Sequence, residues 1–186
     1  MINTALRIRP ARASDIVAIT AIYATAVTGG TASFELSPPD AAEMLSRWRT
    51  IVAAGFPYIV AEQPGPSEAD GVVLGYAYVS QYRPRPAYRN SVENSIYVSL
   101  QAHRLGVGRA LLAALIEAAT EKGFRQMIAV IGDSAQSASI GLHRAAGFTL
   151  VGTIHSVGYK HGRWLDSVLM QRALGSGDTV PPPAPP

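Results

Sequence analysis

A glycine-containing turn at HRLGVG, residues 103–108, leads directly into a helix with an apolar stripe. Glycine allows backbone conformations that side chains disfavour, and it lets a ligand approach the main chain closely. The first amides of a helix have no intrahelical acceptor and lie at the positive end of the helix dipole. Gly106 and Gly108 therefore predict an anion site, of the kind that binds phosphate.

Two common phosphate motifs do not fit this turn. A P-loop requires Gly-Lys-Ser/Thr, whereas Gly108 is followed by Arg109 and Ala110. A dinucleotide-binding fingerprint requires a third glycine, in an early βαβ unit, at the position that Leu111 occupies. The rest of the chain has to identify the phosphate ligand.

Helix and strand signals alternate along the chain and predict one α/β domain, with a single mixed, mostly antiparallel sheet flanked by helices. The predicted strands are 6–9, 56–61, 72–81, 91–99, 127–131, 148–154 and 164–171, and the predicted helices begin near Ser14, Ser37, Val107 and Ser137. The loop 82–90 is too rich in Pro and Arg for a central strand. We expect the domain to span residues 1–174 and the Pro-rich tail, 175–186, to be flexible.

Composition excludes several classes of function. The chain of 186 residues has a net charge of +3, and its arginines are scattered, so no basic block predicts a nucleic-acid groove. Without cysteine there is no thiol nucleophile, no disulfide and no Cys-ligated zinc. No signal peptide or membrane-length apolar run is present, and we expect a cytoplasmic protein without membrane or nucleic-acid partners.

The motifs resemble those of a known family. HRLGVG is similar to the acyl-CoA turn of the GCN5-related N-acetyltransferases (GNAT), usually Gln/Arg-x-x-Gly-x-Gly/Ala. The stretches VENSIYVS, SASIGLHRAAGF and VGYKHGRWLDSVLMQR, in that order, resemble the branch that acetylates phosphinothricin and methionine sulfoximine. The resemblance implies the GNAT fold, with central strands that splay apart at the acetyl-CoA site, and a role in resistance to such analogues.

The resemblance also implies that acetyl-CoA binds at the turn and along the splayed strand without a metal. The implied cofactor-binding residues are Ile96, Tyr97, Val98, Arg104, Leu105, Gly106, Val107, Gly108, Arg109 and Gln136. Two positions depart from the pattern, since His103 replaces Gln/Arg and Gln136 replaces the Asn that holds the pantetheine arm. The alternative is that the two glycines only make a tight strand-to-helix connection.

Glu93 is a carboxylate in an otherwise apolar strand, where an unpaired charge is costly. One interpretation is a salt bridge to Arg83, Arg85 or Arg89. The other is a general base, because an amine with a pKa of ~8 or more is mostly protonated at neutral pH and must lose a proton before it attacks a thioester. The matching Glu of the family branch is proposed to be this base.

His143 is a second catalytic candidate. Many relatives place a Tyr seven residues after the pantetheine Asn, to protonate the departing thiolate, and seven residues after Gln136 comes His143. A histidine near pKa ~6.5 can act as acid or base, so it could also help to deprotonate the substrate. The alternative is a His that packs beside Leu142 and Phe148 on an amphipathic helix. His103, His155 and His161 lack metal-ligand spacing, so no metal is predicted.

The acceptor-binding residues implied by the resemblance come from the loop YRPRPAYR and the Glu-x-Ser segment after it. They are Arg83, Pro84, Arg85, Glu93, Asn94 and Ser95. A planar guanidinium suits two-oxygen anions, although both arginines could also be plain surface residues. Phe34 and Glu35 could close over the site, and Lys160, Arg163 and Trp164 belong to the branch signature as dimer or pocket-wall residues. We expect a homodimer.

The sequence thus predicts direct transfer of an acetyl group from acetyl-CoA to the α-amine of a small amino-acid analogue. No covalent intermediate is required, because the chain has no cysteine and no recognisable Ser-His-Asp arrangement. One alternative is an acetyltransferase for a polyamine, an aminoglycoside or a protein N-terminus. Another is a non-catalytic acyl-CoA-binding regulator, and a nucleotide-binding oxidoreductase is a remote third.

Overall fold

The computed structural model describes residues 6–66 and 71–182. This part of the chain forms one sheet and four α-helices. The strands are β1 (Arg7–Pro10), β2 (Tyr58–Gln63), β3 (Val72–Gln81), β4 (Ser91–Val98), β5 (Gln126–Gly132), β6 (Thr149–Lys160) and β7 (Arg163–Ala173). The helices are α1 (Ile16–Gly29), α2 (Ala41–Ala53), α3 (Val107–Glu121) and α4 (Ser137–Ala145).

The strands follow the order β1-β2-β3-β4-β5-β7-β6. Among the neighbouring pairs only β4 and β5 run parallel, and the other five pairs are antiparallel. This confirms the prediction of a single mixed, mostly antiparallel sheet. The parallel pair β4 and β5 lies where the glycine turn and its helix α3 provide the crossover between two strands.

Helices cover both faces of the sheet, each through its apolar side. On one face, the stripe of α3 that includes Leu111, Leu112 and Leu115 packs into a cluster with β2–β5 and β7. On the other face, α1 and α2 bury residues such as Ile19 and Met44 against tyrosines of β2 and β3. The two sides of β4 therefore face different surroundings, and this separates the candidate site residues.

Two predicted helix starts were wrong. We expected Ser37 to cap the second helix, but α2 begins after Asp40, whose side chain accepts a hydrogen bond from the Glu43 amide at 2.8 Å. Asp40 is in extended conformation at the position where an N-cap forms. The first helix begins at Ile16 rather than directly after Ser14, because a short 3₁₀ turn occupies Ala13–Asp15.

The last two strands are longer than predicted. They form a hairpin in which Tyr159 pairs with Trp164 and Lys160 with Arg163. His161 and Gly162 both have positive φ at its tip, 51° and 73°, as a two-residue hairpin turn requires. The predicted boundary at residue 174 and the flexibility of the tail stay predictions. In its described part, the Gly177 amide donates to Leu174 O at 2.8 Å.

Candidate active site

The central strands separate at the place where the motifs predicted a cofactor. β4 pairs with β5 only from Ser91 to Asn94, opposite Gln126 to Ala129. Beyond Asn94, β4 continues beside β3 as far as Val98, whereas β5 continues beside β7 as far as Gly132. The two strands thus diverge and leave a cleft, which we call the splay.

The register shows which backbone groups of β4 face the splay. The Ser99 amide donates to Leu74 O at 2.9 Å, and the Ser91 carbonyl accepts from the Tyr82 amide at 3.4 Å. Because backbone groups of successive strand residues point in opposite directions, those of Tyr97 also face β3. Only Ile96 and Val98, of the three predicted residues, therefore present backbone groups to a pantetheine arm. The Val98 carbonyl also accepts a hydrogen bond from His103 Nε2 at 3.2 Å.

The glycine turn is left-handed at Gly106, whereas Gly108 already lies in α3. Gly106 has a φ of +82° and immediately precedes α3, and Arg104 also has a positive φ of 64°. The first bond of the helix runs from the Ala110 amide to Gly106 O at 3.0 Å, so the amides of Val107, Gly108 and Arg109 precede it. The side chains of Arg104, Leu105 and Arg109 are exposed.

Gly108 lies between the splayed strand and α4. A β-carbon on it would contact Leu142 Cδ2 at 3.5 Å and Val98 Cγ2 at 3.7 Å. Free amides at a helix start suit a pyrophosphate, and an unpaired strand edge suits the amides of pantetheine. The turn and the splay together therefore fit coenzyme A.

Gln136 lies immediately before α4. Its Nε2 donates to Thr31 Oγ1 at 2.9 Å, and Thr31 belongs to the loop after α1. This contact leaves the amide oxygen of Gln136 as the atom available to a pantetheine N–H. The predicted cofactor role of Gln136 stays a prediction.

Glu93 faces the tyrosine side of the sheet. It is the direct cross-strand neighbour of Ser80, as Ser95 is of Tyr78. Within residues 6–66 and 71–182, the half-buried Glu93 carboxylate has no hydrogen bond and no ion pair, so the alternative of a salt bridge to a loop arginine is not formed there. Burial raises the pKa of the Glu93 carboxyl above its ordinary 4.5, in the direction that suits a base.

His143 lies on the opposite side of β4, at the closed end of the splay. It is buried, with Nε2 2.9 Å from Asn94 Nδ2 and Nδ1 2.8 Å from Ser139 O. A carbonyl can only accept, so Nδ1 carries the proton and Nε2 accepts from the Asn94 amide. Burial lowers the pKa of His143, which keeps the ring neutral.

The six predicted acceptor residues are not brought together. Arg83, Pro84 and Arg85 are exposed, and the Arg83 guanidinium lies over the Tyr82 ring at 5.1 Å. Asn94 points to the other face of β4, where it bonds His143. Only Glu93 and Ser95 share the tyrosine face, because side chains alternate along a strand and these two are separated by one residue.

The sequence analysis did not predict a cavity of about 390 Å³ on this face. Its lining includes Tyr78 and Ser80, the cross-strand neighbours of Ser95 and Glu93, so the cavity adjoins both of these residues. It is lined by Tyr23, Glu43, Met44, Ser46, Arg47, Thr50, Ile51, Tyr58, Tyr76, Tyr78 and Ser80. Tyrosines at alternate positions, as in YAYVS, were the signal that could have found this wall.

The loop after α1 is anchored beside this cavity. Glu35 forms an ion pair with Arg47 at 2.6 Å. The Phe34 ring packs so closely against two glycines that a β-carbon would approach it to 2.8 Å at Gly132 and 2.5 Å at Gly158. Phe34 therefore fastens the loop to β5 and β6, while Glu35 bonds Arg47, which lines the cavity.

The three signature residues of the last hairpin have different surroundings. Lys160 is buried, and its Nζ donates to Ser33 O at 2.7 Å. Arg163 forms an ion pair with Asp133, and Trp164 is exposed with its ring against Tyr159. Lys160 thus bonds the loop after α1, and Trp164 lies on the surface.

Comparison with known proteins decides the family. Residues 8–169 match the acetyltransferase (GNAT) domain family. The chain belongs to the GNAT family. This confirms the fold and the enzyme class predicted from the motifs, with acetyl-CoA as the cosubstrate that the turn and the splay fit.

Several known GNAT proteins are similar over almost the whole chain. A phosphinothricin N-acetyltransferase of Alcaligenes faecalis is 51% identical over 178 residues, which cover 96% of this chain and 87% of that protein. An L-methionine sulfoximine/L-methionine sulfone acetyltransferase of Pseudomonas aeruginosa is 41% identical, covering 94% of this chain and 98% of the other. The crystal structure of a phosphinothricin acetyltransferase from Sinorhizobium meliloti in complex with AcCoA has a TM-score of 0.89 and 49% identity, covering 96% of this chain and 93% of its own.

Across residues 6–66 and 71–182, no three His, Cys, Asp or Glu residues cluster in a way that could hold a metal ion. No helix in this part of the GNAT protein is both long and apolar enough to cross a membrane.

Proposed function

We propose that this GNAT protein transfers the acetyl group of acetyl-CoA to the α-amine of a small amino-acid analogue of the phosphinothricin and methionine sulfoximine type. The observation that carries the proposal is Glu93, a half-buried carboxylate that no described residue neutralises. It lies on the face of β4 with the tyrosine-lined cavity, just before the strands separate. The names of the relatives at 41% and 51% identity support this acceptor class.

The reaction requires an uncharged amine and a held thioester. Glu93 accepts the proton of the ammonium group, and its raised pKa makes this transfer more favourable. Acetyl-CoA, when bound, supplies the acetyl group as a thioester. The pantetheine arm of acetyl-CoA is oriented by the backbone groups of Ile96 and Val98. Its phosphates are oriented by the amides of Val107, Gly108 and Arg109.

His143 has a different part in this proposal. Its Nε2 already accepts from Asn94, so a new proton can reach this atom only if Asn94 moves. We therefore assign proton removal from the acceptor to Glu93. His143 holds Asn94 at the closed end of the splay. Its predicted role as acid or base requires Asn94 to move away from Nε2.

Steady-state assays that detect released coenzyme A test the function. We expect turnover of both phosphinothricin and methionine sulfoximine, with a preference for methionine sulfoximine. Spermidine, an aminoglycoside and a peptide with a free N-terminus are the comparison acceptors. Robust acetylation of one of these, without turnover of either analogue, would replace the proposed acceptor class.

We also propose that the protein is a cytoplasmic homodimer and that acetylation protects its host from such analogues. The edge strand β6 and its hairpin partner expose Val157, Tyr159 and Trp164, of which the last two are cross-strand neighbours with their rings in contact, and this surface suits contact with a second copy. Val157→Glu should dissociate the dimer in sedimentation velocity. Val17→Glu, on the exposed side of α1, is the matched control and should leave the dimer intact.

A further inference from the structure

Thr31 is a buried threonine that joins the loop after α1 to the end of β5. Its Oγ1 donates to Asp133 Oδ2 at 3.2 Å and accepts from Gln136 Nε2 at 2.9 Å. A β-carbon on Gly132, the last residue of β5, would collide with the Thr31 carbonyl. Thr31 therefore packs against the end of the strand that borders the splay opposite β4.

Asp133 fixes the direction of these hydrogen bonds. The Arg163 guanidinium bonds its carboxylate and holds the pKa of Asp133 below its ordinary 3.8, so the group is ionised at neutral pH. An ionised carboxylate can only accept, and the single hydroxyl proton of Thr31 therefore points to Asp133. Thr31 Oγ1 can then only accept from Gln136, which distinguishes the two ends of the Gln136 amide. Nε2 is held by Thr31, and Oε1 is left free of it.

Gln136 lies at the wall of the splay that faces Ile96 and Val98. It comes four residues after the end of β5 and directly before α4. An amide side chain at this position often caps the helix, but among the described residues the Gln136 side chain does not cap α4. Its carbonyl oxygen is therefore an acceptor that the fold itself does not use. Pantetheine contains two amide N–H groups, and each requires an acceptor when the arm leaves water.

We propose that Thr31 and Asp133 are positioning residues for acetyl-CoA, because they hold the Gln136 amide with Oε1 free to accept a hydrogen bond from a pantetheine N–H. This assignment rests on the acetyl-CoA part of the proposed function and not on the acceptor amine. It also accounts for glutamine at position 136. Asparagine is shorter by one carbon–carbon bond, about 1.5 Å, and from the same backbone position it would lose the contact with Thr31.

Thr31→Val tests the assignment, since valine keeps the branched shape and removes the hydroxyl. We expect the Kd for coenzyme A to rise by about 3- to 10-fold in calorimetry, because the hydrogen bond that orients Gln136 is lost. The Kd for 3′-phospho-ADP should stay at the wild-type value, because this ligand keeps the phosphates of coenzyme A and lacks the pantetheine arm. An unchanged Kd for coenzyme A overturns the assignment. An equal rise for both ligands does so too, because it would show that Thr31 only supports the fold.

Thr31→Ser and Thr28→Val are the matched variants. Serine keeps the hydroxyl, so Thr31→Ser should bind coenzyme A as the wild type does. Thr28 is exposed on α1 with its Oγ1 bonded to Ala24 O at 2.9 Å, and its change to valine removes the same atom away from Gln136. We expect no change in the Kd of Thr28→Val. Weak binding by Thr31→Ser, equal to that of Thr31→Val, would assign the effect to packing and overturn the role of the hydroxyl.

A double-mutant cycle shows whether Thr31 acts through Gln136. Once Gln136→Ala has removed the amide, adding Thr31→Val should not weaken coenzyme A binding further. Losses that add in the double variant would mean that the two residues act independently, and the assignment would be wrong.

Gln136→Asn serves if Thr31→Val does not fold, because Gln136 is only half-buried. We expect it to bind coenzyme A as weakly as Gln136→Ala, although the resemblance gives asparagine as the usual residue at this position. Wild-type affinity in Gln136→Asn would show that the Thr31 contact is not required, and this overturns the assignment.

These titrations need no acceptor, so they separate the assignment from the proposed function. If wild-type protein binds coenzyme A and responds to Thr31→Val but acetylates no amine, only the proposed function fails. If it acetylates the analogues and Thr31→Val leaves the Kd for coenzyme A unchanged, only the assignment fails.

Discussion

Glu93 and His143 lie on opposite faces of β4, and this decides what each can do. Glu93 adjoins the tyrosine-lined cavity and has no described partner, so its carboxylate is available to an ammonium group. His143 is enclosed, and both ring nitrogens are already hydrogen-bonded. A proton that binds Glu93 therefore displaces no described partner, whereas a proton that binds His143 Nε2 displaces Asn94.

Glu93→Gln should separate catalysis from stability. We expect kcat to fall by ~10²-fold or more, with unchanged affinity for acetyl-CoA, because the base is lost and the shape is kept. Since the pKa of Glu93 is raised in the folded state, the ionised form opposes folding at neutral pH, and the variant should be at least as stable as wild type. Full activity from pH 6 to 9 in the variant would refute the role of base. A loss of stability at pH 7 in urea unfolding would instead indicate a structural ion pair.

His143 should be less protonated than a free histidine at the same pH. We expect ¹⁵N chemical shifts at pH 6.5 to show a ring that is less than half protonated and whose neutral form carries its proton on Nδ1, because burial lowers the pKa and Ser139 O accepts that proton. Asn94→Asp is the control, since its carboxylate favours the charged ring and should raise the pKa. A ring that is mostly imidazolium at pH 6.5 in wild type would contradict the lowered pKa, and a neutral ring protonated on Nε2 would contradict the assigned tautomer.

At the scale of elements, the start of α3 has to make a tight turn and to leave room for a ligand. The turn requires the left-handed conformation of Gly106, with φ +82°, which residues with a β-carbon adopt only with strain. Gly108 is different, since a β-carbon there would meet only ordinary contacts with Leu142 and Val98. The fold alone therefore permits alanine at position 108, and a ligand in the splay explains the glycine.

Gly108→Ala should thus affect stability and cofactor binding in opposite directions. Alanine in a helix is favoured over glycine by up to ~1 kcal/mol, so unfolding should not become easier. Acetyl-CoA should bind more weakly in calorimetry, because the methyl group projects between β4 and α4. Gly141→Ala, in α4 and with no atom within 4 Å of the added carbon, is the control for helix propensity. Wild-type cofactor affinity for Gly108→Ala would show that the turn is only a connector.

At the scale of the whole molecule, one buried carboxylate joins the first strand to the sheet. Glu62 is 1% exposed and accepts from Arg7 Nε and Arg9 Nε, each at 2.6 Å. Arg9 also bonds Asp15 at 2.8 Å, so β1, β2 and the start of α1 share one charge network. This network lies away from the splay and should contribute to folding rather than to catalysis.

Glu62→Gln should destabilise the protein by about 3 kcal/mol, because it removes the carboxylate from buried cations. In the wild type, the arginines hold the pKa values of Glu62 and Asp15 below their ordinary values of 4.5 and 3.8. The stability that these ion pairs contribute is therefore present above those ordinary values, and it is lost as the pH falls through the lowered pKa values. Urea unfolding between pH 3 and 7 measures both effects. Glu43→Gln removes an exposed ion pair with Arg47 within α2, and it should lower the free energy of unfolding by less than ~1 kcal/mol. An equal loss of unfolding free energy in the two variants would contradict the prediction that the buried carboxylate contributes more than the exposed one.

The sequence by itself determined the features that depend on neighbouring residues. A glycine turn before an apolar helix predicts its own free amides, and a carboxylate within an apolar strand stands out without knowledge of its partners. Gly106, Gly108 and Glu93 were found in this way, and motif order along the chain indicated the family and the splay.

The tertiary structure alone decided which distant residues meet. Glu93 and Asn94 are adjacent in sequence but face opposite sides of β4, and Lys160 bonds a carbonyl 127 residues away in the chain. The tyrosine cavity forms only when α1 and α2 pack on β2 and β3. Strand register and helix docking set these contacts, because each depends on burial summed over the whole core and not on local propensity. For the same reason the exposure of Arg83 and Arg85 could not be predicted from their spacing to Glu93.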